Sequence, residues 1–288
     1  MPDIRIIALD LDGTLLDSKK RLSRVNREAL EYAAAKGVHI VPTTGRFFGM
    51  MPEAVRDLPF VRYAITINGA QVYDRETDTA IVREEIPVGR AVEIMELLDG
   101  FDVIYDCYRN NWGWMSARLK EKAEAYATDE HYLKMVREFR NPVEDLKRHL
   151  LDTVSEGGVQ KVMLFSRNDE PDAKELRAIE KAMAEKFPEI KITSSTWNDL
   201  EFNSPSAHKG GSLARFAEHL GLGLENCMSF GDGRNDLTMI EAAGIGVAME
   251  NAVEEVKAAA DCITLSNDEN GVAETIYGYF SGKIDLKK

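Results

Sequence analysis

The first eighty residues alternate short apolar runs with longer amphipathic segments. Residues 4–9 are apolar at nearly every position, as expected for a strand of a parallel sheet that is covered on both faces. A helix is predicted over about residues 26–36, because Gly37 is a residue that suits a helix end. Two further apolar runs, at residues 38–41 and 63–67, predict strands. Strands and helices in this order predict a doubly wound, mostly parallel α/β sheet of the Rossmann type.

The same alternation returns in the last third of the chain. After Lys209, the apolar residues Leu213, Phe216, Ala217 and Leu220 recur at the spacing of one helix face. The segments that follow again predict strands and helices in turn: a strand at 227–230, a helix at 237–243, a strand at 245–249, a helix at 253–260, a strand at 262–265 and a last helix from Gly271.

Residues 84–198 follow a different pattern, in which the apolar runs are more widely spaced. All three tryptophans of the chain fall in this segment. We therefore expect an inserted α+β domain, with a discontinuous sheet domain at residues 1–83 and 199–288. The elements predicted for the insert are an amphipathic helix around 91–98, strands at 103–105, 159–165 and 190–194, and a charged helix at 172–187.

Two carboxylates follow the first predicted strand directly. Asp10 and Asp12 are two positions apart, so their side chains point the same way, at the sheet edge where open α/β sheets bind ligands. Such a pair suggests an acid/base pair or a site for a hard metal ion; an ordinary Asp-Gly turn is the structural alternative. A calcium loop is excluded, because Arg21 stands where that loop requires glutamate.

Three further segments place polar residues at the same predicted edge. Their carboxylates can hold Mg²⁺, and their lysine, hydroxyl and helix-terminal N–H groups suit a phosphate. Taken one at a time, they also fit a simple turn, a solvated helix start and a surface cation. A dinucleotide loop is disfavoured, because Asp236 stands where its third glycine belongs. The segments are Thr44-Gly45-Arg46, Lys209, and Asp232 with Asn235 and Asp236.

Composition narrows the class of protein. A charged fraction of 30% and a hydrophobic fraction of 44% are ordinary for a globular protein. The formal net charge of −13 argues against a nucleic-acid partner, whose phosphates require a basic surface. No apolar run approaches the roughly 18 residues of a membrane span, so we expect a cytoplasmic protein without a membrane partner. Cys107, Cys227 and Cys262 form no Cys-x-x-Cys pair and are predicted to be buried thiols.

Six motifs follow one another along the chain: DLDGT at 10–14, TTGR at 43–46, NGA at 68–70, HKGG at 208–211, GDGRND at 231–236 and the segment 246–264. In this order they resemble the motifs of the haloacid dehalogenase superfamily, and most closely those of its Cof-type subfamily of metabolite phosphatases. The resemblance covers roughly residues 4–83 and 200–280, and only size and position match in the insert.

The resemblance implies a role for each matching residue. Asp10 matches the nucleophile that forms an aspartyl-phosphate, and Asp12 matches the general acid/base. Thr44 matches a hydroxyl that binds a phosphoryl oxygen, and Lys209 the cation that neutralises the charge there. Asp232 matches a ligand of Mg²⁺, together with the Asp10 carboxylate and the Asp12 backbone carbonyl.

The remaining matches concern the phosphate pocket and the metal. Asn235 matches a contact to phosphate or water, and Asp236 matches a carboxylate at or beside the metal. Arg46, with Gly45 before it, and Asn68 lie where the family shapes the phosphate pocket. The fourth motif differs from the usual pattern by carrying Gly233-Arg234, which is expected to add a cation near the metal.

The expected function is therefore that of a Mg²⁺-dependent phosphatase acting on small phosphorylated metabolites, such as sugar phosphates or phosphorylated cofactors. The alternatives are a phosphomutase with the same nucleophile and a non-catalytic regulator that binds a phosphorylated metabolite. The insert is expected to be a lid that selects the substrate, and the sequence is compatible with a homodimer. Four aromatic residues of the insert are expected either to wall the substrate site or to pack in the core: Tyr108, Trp112, Trp114 and Trp197.

Overall fold

The computed structural model describes residues 2–127, 130–167 and 174–283. The chain divides into two compact units, of which the second is the uninterrupted segment Glu84–Ser206 and the first combines the two flanking segments, Met1–Arg83 and Ala207–Lys288. No helix of the described residues is long and apolar enough to cross a membrane. Cys107, Cys227 and Cys262 are buried, as predicted.

Strands and helices are numbered along the chain. The amino-terminal segment contains β1 (Ile6–Leu9), α1 (Arg24–Ala35), β2 (His39–Pro42), α2 (Glu53–Arg56), β3 (Tyr63–Thr66), β4 (Gln71–Asp74) and β5 (Thr79–Arg83). The second unit contains α3 (Val88–Leu98), β6 (Val103–Arg109), β7 (Trp112–Ser116), α4 (Ala117–Lys120), α5 (Glu130–Phe139), β8 (Arg140–Val143), α6 (Leu146–Asp152), β9 (Lys161–Ser166), α7 (Lys174–Lys186), β10 (Lys191–Thr193) and β11 (Asp199–Asn203). The carboxyl-terminal segment contains α8 (Lys209–His219), β12 (Cys227–Gly231), α9 (Leu237–Ala242), β13 (Ile245–Ala248), α10 (Glu254–Ala259), β14 (Cys262–Ile263) and α11 (Gly271–Phe280).

The first unit is built on a parallel five-stranded sheet in the order β14-β13-β12-β1-β2, which confirms the predicted α/β core. Strand β1 lies between β12 and β2 and pairs with both. Ile7 and Leu9 pack into one apolar cluster, and Ile6 and Ala8 pack into another. Because β1 has apolar neighbours on both faces, its sequence is a continuous apolar run rather than an alternating one.

The third predicted strand does not simply extend this parallel sheet. Strand β3 bridges to β2 through one parallel pair, Thr43 with Ile65, and pairs antiparallel with β4, which in turn pairs with β5. The turn between β3 and β4 places Ile67 and Asn68 at positive φ, 54° and 56°. Nothing in the apolar pattern indicates such a turn, so these antiparallel pairings were not predicted.

Most predicted boundaries shift by one or two residues. Helix α1 begins at Arg24 rather than at residue 26, because the Ser23 hydroxyl accepts a hydrogen bond from the Asn26 N–H and caps the helix. Gly37 has φ +82°, in agreement with the predicted helix end. The strand predicted at 262–265 is shorter and pairs only over Cys262–Ile263.

The second unit is built on a six-stranded sheet in the order β10-β11-β9-β6-β7-β8. Its pairs are antiparallel except for the parallel pair of β7 and β8. The predicted return to the sheet domain at residue 199 is wrong, because Leu200 of β11 pairs with Leu164 of β9, so the return lies after Ser206. Residues 172 and 173 of the predicted charged helix lie outside the described residues.

The aromatic residues of the insert divide into two groups. Tyr108 is buried in the second unit, where the Arg140 guanidinium lies over its ring. Trp114 stacks on His149. Trp112 and Trp197 are about half exposed, 51% and 46%. Core packing therefore accounts for Tyr108, but not for Trp112 or Trp197.

Candidate active site

The carboxyl end of β1 places Asp10 inside the first unit. Its N–H donates to the Phe230 carbonyl at 3.0 Å, which continues the pairing of β1 with β12 by one residue. Only 8% of Asp10 is exposed. Its Oδ1 accepts a hydrogen bond from Lys209 Nζ at 2.6 Å. The residue that follows the buried strand is therefore a buried carboxylate with a lysine beside it.

Lys209 is the first residue of α8 and is completely buried. Its Nζ donates to Asp10 Oδ1 and, at 2.5 Å, to Asp236 Oδ1. Burial lowers the pKa of Lys209, but the two carboxylates outweigh burial and leave this pKa raised. Lys209 is therefore a buried cation shared between two acids, and the alternative of a solvated helix start is wrong.

Each carboxylate around Lys209 disfavours the ionised form of its neighbours. The pKa of Asp10 is raised to about 8, chiefly by burial; Lys209 lowers this pKa, and the charges of Asp236 and Asp232 add to the rise. Burial likewise raises the pKa of Asp232 to about 6, against the hydrogen bond from Thr14. The site thus carries more potential negative charge than Lys209 alone neutralises, and a further cation would lower both pKa values.

The three acids of this cluster are placed for a metal ion, but they are not equivalent. Asp10, Asp232 and Asp236 can each offer a carboxylate oxygen, and these oxygens lie within 4.8 Å of one another. Asp236 already accepts from Lys209 through Oδ1 and from the N–H groups of Asp232 and Gly233 through Oδ2, at 3.0 and 2.9 Å. Both carboxylate oxygens of Asp236 are therefore engaged by the protein, so Asp10 and Asp232 are better able than Asp236 to ligate a metal ion.

Gly13 lets the first motif approach Asp232 closely. Its φ is +89°, and a Cβ at this position would lie 2.5 Å from Asp232 Oδ2. The neighbouring Thr14 hydroxyl donates to Asp232 Oδ1 at 2.7 Å. The sequence Gly13-Thr14 thus fixes one carboxylate of the cluster from a loop of the first motif.

We expect Gly13→Ala to lower turnover by roughly tenfold or more, because the new methyl group displaces the Asp232 carboxylate and small misplacements are costly in catalysis. The matched control is Gly37→Ala, since Gly37 also has positive φ but no atom within 4 Å of its Cβ position. Both variants should lose stability from backbone strain, and only Gly13→Ala should lose turnover of an aryl phosphate. Equal turnover in the two variants would contradict this role of Gly13.

Asp12 is held by two cations and not by the carboxylate cluster. Its Oδ2 accepts from Arg46 Nη2 at 2.9 Å and from Arg46 Nε at 3.2 Å. Its Oδ1 accepts from Arg46 Nη2 at 3.2 Å and lies 2.8 Å from Lys20 Nζ. Burial raises the pKa of Asp12, but Arg46 and Lys20 outweigh burial, so this pKa is lowered. Asp12 is therefore held as an ionised carboxylate.

The Thr44 loop and the turn after β3 are joined through their backbones. The Thr44 hydroxyl accepts from the Arg46 N–H at 3.2 Å. The Ile67 N–H donates to the Arg46 carbonyl and the Asn68 N–H to the Thr44 carbonyl, both at 3.0 Å. The left-handed turn at Ile67 and Asn68 thus sets the shape of the loop that carries the Thr44 hydroxyl.

The side chain of Asn68 connects this loop to the fourth motif. Its Oδ1 lies 2.9 Å from the Cβ position of Gly45 and accepts from Asn235 Nδ2 at 3.4 Å. Arg234 points to a different partner, Glu255, at 2.6 Å and is largely exposed. The cation expected near the metal is therefore neutralised by Glu255, whereas Gly45, Asn68 and Asn235 lie together.

Two residues at the site were missed in the sequence. Lys20 contacts Asp12, and the His208 imidazole Nδ1 caps α8 by accepting from the Gly211 N–H at 3.0 Å. His208 stands directly before a helix start, a position that is a detectable capping signal. No pattern along the chain marks Lys20.

The chain is similar to known hydrolases and phosphatases over most of its length. Residues 7–276 match the family model described as haloacid dehalogenase-like hydrolase. One relative is the 5-amino-6-(5-phospho-D-ribitylamino)uracil phosphatase YcsE of Bacillus subtilis (strain 168), 31% identical over 95% of each chain. Another is the pyridoxal phosphate phosphatase YbhA of Escherichia coli (strain K12), 29% identical over 96% of this chain and 98% of its own. A haloacid dehalogenase-like hydrolase from Bacteroides thetaiotaomicron has a similar structure, with a TM-score of 0.81 and 30% identity over 96% of this chain and all of its own.

Proposed function

This chain belongs to the haloacid dehalogenase-like hydrolases and is a phosphatase, and from that premise we propose that it hydrolyses small phosphorylated metabolites with Mg²⁺ through an aspartyl-phosphate on Asp10. The substrates we propose are sugar phosphates or phosphorylated cofactors. The observation that carries the proposal is the buried Asp10 at the end of β1, held by Lys209 at 2.6 Å. Phosphoryl transfer depends chiefly on such positioning and charge neutralisation.

In the first step, an Asp10 carboxylate oxygen forms a bond to phosphorus and the bond from phosphorus to the leaving oxygen breaks. Lys209 supports this step, since its buried charge stabilises the negative charge that gathers on the phosphoryl group. Thr44, Asn68 and Asn235 are proposed to bind phosphoryl oxygens. The leaving oxygen takes its proton from Asp12, which must therefore be protonated when this step begins.

In the second step, water attacks phosphorus and releases inorganic phosphate, which restores the Asp10 carboxylate. Asp12 now accepts a proton from this water as general base. The ion pairs of Asp12 with Arg46 and Lys20 support this half of the cycle, because they favour the ionised carboxylate. A phosphate dianion that arrives with the substrate would bring negative charge near Asp12, which favours the protonated form of this acid for the first step.

The acidic cluster fits a Mg²⁺ ion. Asp10, Asp232 and the Asp12 backbone carbonyl would hold it, and Mg²⁺ prefers such hard oxygen ligands while keeping several waters. When bound, the ion supplies positive charge for the phosphoryl oxygens and for the crowded carboxylates. We propose that Asp236 serves mainly to hold Lys209 and the loop after β12, because its oxygens are already engaged there.

The test of the proposed function is a panel of phosphorylated metabolites, including sugar phosphates, pyridoxal phosphate and a ribityl phosphate, assayed with Mg²⁺ for released inorganic phosphate. We expect turnover of several members, with a preference that the family alone does not determine, since the two relatives are named for different substrates. A phosphomutase would instead yield an isomeric phosphate without net release, and a regulator would bind without turnover. Selection of the leaving group by the second unit stays a prediction.

A further inference from the structure

The backbone at Lys20 is unusual. Seven non-glycine residues in the described ranges have positive φ, and five of them are Asn or Asp, the residues that tolerate this conformation. The two exceptions are Ile67 and Lys20, the latter with φ 59°. Strained residues of this kind cluster at functional sites, where the surrounding structure holds them in place.

Asp17 holds the strained turn. Its Oδ1 accepts from the N–H groups of Lys19 and Arg21, both at 2.9 Å, and its backbone carbonyl accepts from the Lys20 N–H at 2.8 Å. The Arg21 guanidinium closes the turn on Asp17 Oδ2 at 2.7 Å. The turn is therefore built from the residues around Lys20, and the Lys20 side chain is left to reach Asp12.

Lys20 completes the set of cations around Asp12. Its Nζ lies 2.8 Å from Oδ1, while Arg46 makes its shorter contact, 2.9 Å, to Oδ2. Arg46 Nη2 also donates to Oδ1, at 3.2 Å, so the shortest contact of Oδ1 is to Lys20 and that of Oδ2 is to Arg46. The Lys20 side chain is 56% exposed, so its ion pair adds little to the stability of the fold.

We propose that Lys20 is a positioning residue for the reaction, which together with Arg46 holds the Asp12 carboxylate in one orientation. The inference rests on the proposed function, in which Asp12 transfers a proton in each of two successive steps. Without Lys20, Oδ1 keeps only the longer contact to Arg46 Nη2, at 3.2 Å, so the carboxylate can shift away from the oxygen atoms it serves. Loss of orientation lowers the rate rather than the affinity. The role assigned to Lys20 therefore concerns kcat more than KM.

The test compares four variants with the wild type in Mg²⁺ on an aryl phosphate. Lys20→Met should lower kcat about threefold to fivefold and leave KM within about twofold, a change of the size expected for one partly exposed ion pair. Lys20→Asn should do the same, because asparagine tolerates the left-handed backbone but carries no charge. Lys20→Arg should recover most of kcat, and Lys19→Met is the matched control that should match the wild type.

Unchanged kcat in Lys20→Met and Lys20→Asn would overturn the proposal, and so would a loss that Lys20→Arg does not recover or that Lys19→Met shares. A readout without turnover is the carbon-13 carboxyl resonance of Asp12 in the metal-free protein. This resonance should move in Lys20→Met and stay in Lys19→Met, and an unmoved resonance overturns the contact itself. A wild type that releases no phosphate from any substrate refutes the proposed function, and the carboxyl resonance still decides whether Lys20 holds Asp12.

Discussion

Replacing Asp10 with asparagine should lower turnover by roughly 10³-fold or more while the protein still folds. An amide oxygen does not attack phosphorus, so no aspartyl-phosphate can form. The fold should tolerate the change, because burial already disfavours the charged form of Asp10 and raises its pKa to about 8. Lys209 keeps its second partner, Asp236, at 2.5 Å. Steady-state release of phosphate and a thermal unfolding curve measure the two halves of this prediction.

The matched control is Asp57→Asn, which makes the same chemical change on an exposed residue. It should keep wild-type turnover when it is purified by the same procedure, and this shared procedure exposes any contaminating phosphatase. Substantial turnover by Asp10→Asn in a clean preparation would show that Asp10 is not the nucleophile. An unfolded Asp10→Asn protein would show instead that its charge is structural.

Removing Mg²⁺ with a chelator should lower turnover by roughly 10²-fold or more, and Ca²⁺ should not restore it. The proposed metal site offers only two carboxylates, Asp10 and Asp232, which suits a small ion that keeps several of its water ligands. The larger Ca²⁺ takes six to eight ligands and would draw both oxygens of Asp10 into coordination. Equal turnover with Ca²⁺, or full turnover in excess chelator, would contradict a Mg²⁺ requirement.

Metal binding should also change how stability depends on pH. The pKa values of Asp10 and Asp232, about 8 and about 6, both lie above the ordinary 3.8. In the metal-free protein, the contribution of these two carboxyl groups to the free energy of unfolding is fully present below about pH 4. This contribution is lost as the pH rises through about 6, the pKa of Asp232, and then through about 8, the pKa of Asp10. Mg²⁺ should therefore raise the melting temperature more at pH 8 than at pH 5. Asp232→Asn should weaken this effect, and a shift that is equal at both pH values would argue against a metal held by these acids.

The core of the fold follows closely from the apolar pattern, for a physical reason. A strand such as β1 that is buried on both faces must be apolar throughout, and the polar residues just beyond it must lie at one edge of a parallel sheet. The same reason brings Asp10 and Asp232 together, because they follow the neighbouring strands β1 and β12, although they are far apart in sequence. These placements needed no knowledge of side-chain contacts.

The return from the insert was misplaced because its last strand does not look buried. Asp199, Glu201 and Asn203 alternate with apolar residues in β11, a pattern typical of a half-exposed strand, yet all three are buried. Their polar groups find partners within the second unit: Glu201 pairs with Lys161 at 2.8 Å. Burial of such residues depends on tertiary partners, which periodicity does not register.

Lys20 and the turn at Ile67 escaped detection for a related reason. A positive φ at lysine or isoleucine opposes the residue's own preference, so local propensity predicts the wrong conformation. The turn at Lys20 exists because Asp17 accepts several hydrogen bonds around it. Strain of this kind is visible only once the backbone is known.

The position of β1 also has a consequence for biosynthesis. Its partner on one side, β2, follows within the first segment, but its partner on the other side, β12, is made only after the whole of the second unit. Until then the strand that ends at Asp10 has one unpaired edge, and open edges of this kind invite association between chains. Pairing across so long a separation is also slow to form. A nascent chain therefore carries its proposed nucleophile from the start, yet its acidic cluster is complete only once translation has passed Asp236.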